Sequence, residues 1–248
     1  MRGRRINFAK VAAIAAIGFL SMGAGPSSAD RPTKREYSVF NRFVASIRRC
    51  GVTPVRVPNL IVKTAPYLSS YFDDDNTVRL SRWAELPQPV QTLMSEWAKQ
   101  GTLGLRPSQM FGEIFNSLLI PHEMGHYLRE VSGRSKTLDH WSGEIEADQI
   151  AIAFWSLTPD GAAAIAKRVA NFERYLGRLP NPVPRGADPH AYFEANYEKL
   201  GSNPAAYGWY QGAFMRQAWA NRNERTFCGW VKLNKPELEQ RALSNLKR

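Results

Sequence analysis

The sequence predicts an α+β fold, a small and mostly antiparallel sheet packed on helices. Two observations lead there. Between residues 52 and 80, short runs rich in β-branched and aromatic residues are bounded by prolines or by an acidic turn. On both sides of them apolar residues recur at spacings of three and four, the period of a helix with one buried face.

Residues 1–29 read as an export signal. Arg2, Arg4, Arg5 and Lys10 give a positive start, an apolar run follows to Met22, and Ser27, Ser28 and Ala29 supply small residues for cleavage before Asp30. The apolar run is too short to span a bilayer comfortably. The expectation is an exported bacterial protein, periplasmic or extracellular, with no stable membrane span in its mature form. Residues 30–248 then make a single domain, with a subdivision expected, if anywhere, at 178–188.

Phe40, Val44 and Ile47 mark a helix over 37–49. Residues 52–62 read as a strand that Pro54 and Pro58 push to a sheet edge. Residues 67–72, the acidic turn Asp73-Asp74-Asp75-Asn76 and residues 77–80 read as a hairpin. The turn lacks the spaced ligands and glycine of a calcium loop. Val90, Leu93, Met94 and Trp97 put a helix over 86–99. Ser108 is the expected N-cap of the next, with Met110, Phe111, Ile114 and Leu118 as its stripe and a kink or break at Pro121. Helices follow over 144–157 and 162–176, then a proline-rich run at 178–186, then an aromatic-rich helical region to Cys228.

The chemistry concentrates at His122-Glu123-Met124-Gly125-His126. Residues four apart share a helix face one turn apart, so the two imidazoles can grip one metal ion; zinc takes such nitrogens at about 2.0–2.1 Å. Glu123 is then the general base toward a metal-activated water. Gly125 costs helix propensity and points to close approach by another segment. Catalytic zinc needs a third protein ligand. Glu144 and Asp148 are four apart and share a face, whereas Glu146 points about 200° away from Glu144. The face argument makes Glu144 the third ligand and Asp148 the acceptor that fixes a ligand histidine's tautomer. Asp139 and His140, in a polar turn-like run, are rival ligands. His190, Tyr207 and Tyr210 are candidates for a donor to a developing oxyanion.

The pair H-E-M-G-H and G-E-I-E-A-D-Q-I-A is similar to the gluzincin pattern, H-E-x-x-H followed by E-x-x-x-D. The short spacing from His126 to Glu144, and the segment Tyr71-Phe72-Asp73-Asp74-Asp75-Asn76-Thr77-Val78-Arg79-Leu80, resemble the bacterial DUF4344 metallopeptidase family. The resemblance implies a zincin-like fold, one Zn2+ held by His122, His126 and Glu144, and hydrolysis of peptide or protein substrates.

Cys50 and Cys228 are the only cysteines and suit one disulfide in an oxidising compartment. Without the four basic residues of the signal, the net charge falls from +11 to +7. No nucleic-acid motif accompanies that charge, so no nucleic-acid partner is expected. Two other readings compete: an envelope binding module with a closed four-ligand structural metal site recruiting His140, and a metal-dependent amidase acting on cell-wall material. A binding module has no use for a base beside the metal.

Overall fold

The computed structural model describes residues 31–64, 68–100 and 103–234, so the signal at 1–29 lies outside the described residues. Helix α1 (Lys34–Arg49) opens on a capping box: Thr33 Oγ1 accepts from Glu36 N–H at 3.3 Å, and Glu36 accepts from Thr33 N–H at 2.6 Å. Glu36 is buried but paired, since Arg82 Nη1 donates to it at 2.8 Å. The inward face of α1 carries Phe43, fully buried between Phe154 and Phe227 with ring centroids 5.2 Å from each. Emptying such a site costs about 3–5 kcal/mol.

Strands β1 (Asn59–Val62), β2 (Ser69–Phe72) and β3 (Thr77–Leu80) form one sheet in the order β1-β3-β2. The β2–β3 hairpin is antiparallel, with Tyr71 opposite Val78. The β1–β3 pairing is parallel, with Leu60 opposite Val78, so the sheet is mixed and not mostly antiparallel. The reason is burial: β3 carries Val78 and Leu80, both fully buried, and takes the central place between strands that precede it. The expected strand over 52–62 shortens to its last four residues.

Helix α2 (Gln88–Gln100) buries Val90, Met94 and Trp97. The segment expected as one helix from Ser108 is two. Helix α3 (Pro107–Glu113) has Arg106 at its N-cap position, where Gln109 Oε1 accepts from the Arg106 N–H at 3.1 Å, and starts on Pro107, not at Ser108. A π turn over Ile114–Leu118 follows, with Leu119 N–H donating to Ile114 C=O at 2.9 Å. Helix α4 (Ile120–Ser132) restarts with Pro121 in its first turn, where a missing N–H costs nothing. Gly133, at φ 81°, ends it in the left-handed conformation.

Helix α5 (His140–Trp155) begins earlier than expected, because Asp139 caps it by accepting from Ser142 N–H at 2.8 Å. Asp139 and His140 are thus cap and first turn, not a polar loop. Helix α6 (Pro159–Leu176) starts at Thr158, whose hydroxyl accepts from Gly161 N–H. Past the proline-rich run come α7 (Pro189–Gly201), α8 (Pro204–Ala220) and α9 (Phe227–Leu233). Helix α8 packs on α5 and α6, and α7 packs on α5. Cys50, at the end of α1, is bonded to Cys228 in α9 with Cα atoms 5.1 Å apart. None of the described helices is long and apolar enough to cross a membrane. The architecture is α+β and mostly helical.

Candidate metal centre

Helices α4 and α5 cross at Gly125 and Ala147. A Cβ on Gly125 would stand 2.9 Å from Ala147 Cα, closer than side chains tolerate, so glycine is what lets the backbones meet. Gly125 sits between His122 and His126 as Ala147 sits between Glu144 and Asp148. The close crossing therefore brings His122 to Asp148 and His126 to Glu144.

Donor atoms of three residues converge there. His122 Nε2 and His126 Nε2 are 3.1 Å apart; Glu144 Oε2 lies 3.4 Å from the first, and Glu144 Oε1 lies 3.7 Å from the second. Four tetrahedral ligands about 2.0–2.1 Å from a zinc ion lie on the order of 3.4 Å from one another, so this triangle fits the three-ligand half of such a site. The donor set, two imidazoles and a carboxylate, suits zinc and fits other divalent first-row metals too. Glu123 also has a carboxylate oxygen within 4.8 Å of both imidazole nitrogens. Each carboxylate has one oxygen held by a donor, Glu123 by the Tyr71 N–H of β2 at 2.8 Å and Glu144 by Gln211, and Glu144 faces both rings at 3.4 and 3.7 Å.

The groups around the triangle fix its chemistry. Asp148, fully buried, accepts from His122 Nδ1 at 2.8 Å, so that in the neutral ring, the form a metal would bind, Nε2 carries the lone pair. Burial disfavours the His122 cation, but the charge and hydrogen bond of Asp148, with Glu144, outweigh it, and the pair holds its proton firmly. Burial lowers His126 to about 3, so its ring is neutral. Burial alone would raise Glu144, yet the two imidazoles and the Gln211 amide hold its carboxyl well below the usual range; Gln211 Nε2 donates to its Oε2 at 2.9 Å. Glu123 is raised to about 7, chiefly by burial. Arg129, one turn beyond His126, is buried, and burial lowers its guanidinium.

The centre opens into a cleft. Strand β2, at the sheet edge, forms one wall, and Tyr207 of α8 lines the other beside Glu144. The remaining oxyanion candidates lie elsewhere. His190 pairs with Asp139 at 2.8 Å and is outside the cleft, and the Tyr210 hydroxyl is tied to Pro189 C=O at 3.3 Å. His140 does not join the triangle, since its Nδ1 pairs with Glu194 at 2.8 Å and its ring stacks on Tyr197. Glu146 points away, accepting from Arg134 Nη2 at 2.6 Å. Among the described residues a second group that could hold a metal ion is Asp139, His190 and Glu194.

Sequence reasoning missed three participants. Gln211 lies 67 residues beyond Glu144 and nothing local marks it. The Tyr71 N–H is a backbone group without a side-chain signature. Arg129 was readable, because residues 122, 126 and 129 share one helix face.

No family model, curated protein or solved structure matches this chain. The case for function therefore rests on the centre itself.

Proposed function

We propose that the protein is an exported zinc-dependent peptidase of gluzincin type, resembling the DUF4344 family, and that it cuts peptide bonds without a covalent enzyme intermediate. The observation that carries the reading is the convergence of His122, His126 and Glu144 at tetrahedral spacing, in an open cleft, with the Glu123 carboxylate beside them. A zinc ion bound there would supply Lewis-acid polarisation and lower the pKa of water toward neutrality. Glu123 takes the proton of the water that attacks the amide carbonyl and hands it to the leaving nitrogen. Its burial-raised pKa of about 7 suits both halves of that transfer near neutrality. The Tyr71 N–H aims the carboxylate and ties the base to the edge strand β2, which forms one wall of the cleft. Asp148 keeps His122 in the tautomer that offers Nε2 to the metal. Tyr207, whose hydroxyl stays protonated through burial and the nearby Glu144, is the donor toward the developing oxyanion. The amidase and binding-module readings share the metal site, and Glu123 separates the module from both enzymes.

The test is metal content and peptide hydrolysis of the mature protein beside Glu123→Gln. Both proteins should carry about one zinc per chain, while hydrolysis falls about 10²–10⁴-fold in the variant. No zinc in either protein after zinc is supplied, or undiminished hydrolysis in the variant, would sink the proposal.

A further inference from the structure

We propose that Arg129 makes one end of the cleft a carboxylate-binding site, so that preferred substrates carry a carboxylate next to the bond that is cut. The inference rests on the peptidase reading for the word substrate, but not for the site. Arg129 is 7% exposed, yet among the described residues no hydrogen bond or ion pair satisfies its guanidinium, and its Nε is enclosed without a partner. An unpaired buried cation is expensive, and it persists where a function or a ligand compensates. The guanidinium lies along the cleft lining and against α5 at Gly143, where a Cβ would stand 2.1 Å from Nη1 and 2.7 Å from Cζ. Glycine at that position makes the space that the group occupies.

Position along α4 sets the order of the cleft. Leu119 precedes the imidazoles and opens toward Leu93, Met94 and Phe115, while Arg129 follows His122 by seven residues, about 10 Å along the axis on the same face. The apolar end and the cationic end thus flank the metal triangle. The two acids whose charges act on Arg129 have other donors: Glu144 accepts from Gln211 and Glu146 from Arg134. They balance its charge through space, and a planar guanidinium is the shape that takes a carboxylate through two parallel hydrogen bonds. That carboxylate is either the C-terminus of a peptide or an acidic side chain.

The experiment measures binding of acetylated Phe-Leu-Ala peptides to the zinc-loaded full chain carrying Glu123→Gln, which prevents turnover. Three peptides are compared: a free C-terminal carboxylate, its carboxamide, and an amidated peptide with Glu in the last place. Either carboxylate form should bind about tenfold or more tighter than the neutral amide, and the form preferred identifies the source. Adding Arg129→Gln should cut that preference below about twofold with the neutral peptide unaffected; Arg129→Lys should retain part of it and serves if the glutamine variant does not fold. Equal binding of acid and amide, no binding of any peptide, or a preference that survives in Arg129→Gln and so belongs to the metal, overturns the proposal. Hydrolysis of the same peptides by the parent protein runs alongside. Carboxylate preference without hydrolysis sinks the peptidase reading alone, and hydrolysis without preference sinks this inference alone.

Discussion

All four histidines of the chain sit in two clusters with carboxylates, and the clusters differ in how their lone pairs are used. At the α4–α5 crossing, His122 spends Nδ1 on Asp148, and the free nitrogens of His122 and His126 converge with Glu144 on one buried point. At the joint between α5 and α7, each ring has its own acceptor: His190 Nε2 with Asp139, His140 Nδ1 with Glu194. Glu194 is also tied to the Trp141 N–H at 2.7 Å, and Asp139 caps α5. In the first cluster His122, Glu144 and Asp148 are nearly closed from solvent and His126 is 22% exposed, whereas His190 and Asp139 remain 43% and 38% exposed. The second cluster also brings ligand atoms of Asp139, His190 and Glu194 within 4.8 Å of one another, but its imidazoles are paired with carboxylates and part of it is open to solvent. Burial and the free lone pairs separate the two, not composition.

The sharpest way to break that contrast is Glu144→Ala. Zinc should fall from about one per chain toward none, read by elemental analysis after gel filtration. Zinc retained in the variant would pass the third-ligand role to Glu123, the other carboxylate within reach of both imidazoles. Asp148→Asn should act more gently, weakening zinc affinity about 10–100-fold through loss of the tautomer lock, in a competition titration against a chelator; unchanged affinity would reduce Asp148 to packing. The smallest effect belongs to the other cluster. His190→Ala should leave zinc content untouched and shift stability by no more than about 1 kcal/mol, as exposed pairs do. A loss of zinc from that variant would mean the second cluster is coupled to the first.

Much of the centre was legible because it is built from helix periodicity. The spacing of His122 and His126 and the face shared by Glu144 and Asp148 need only 3.6 residues per turn, and the oddity of Gly125 within a helix already announced a close neighbour, which is Ala147. What escaped depends on the third dimension. Gln211 reaches Glu144 from a helix beyond the proline-rich run, and the Tyr71 N–H reaches Glu123 because the sheet edge lies along α4. His190 and Tyr210 have the chemistry of oxyanion donors, but folding commits both to α7 and its N-terminus. The parallel β1–β3 pairing escaped for a similar reason: strands adjacent in sequence read as adjacent in space, until a more buried strand takes the middle.

The Cys50–Cys228 bond closes a ring across 178 residues, and every group at the centre lies inside it. The histidines and carboxylates are on one side of the proline-rich run at 178–186, while Tyr207 and Gln211 are on the other. A single cut in that run would divide the cleft between two pieces of chain. The disulfide would still tether them, so the nicked protein would migrate as one species until reduced, and the two walls of the cleft would part only then.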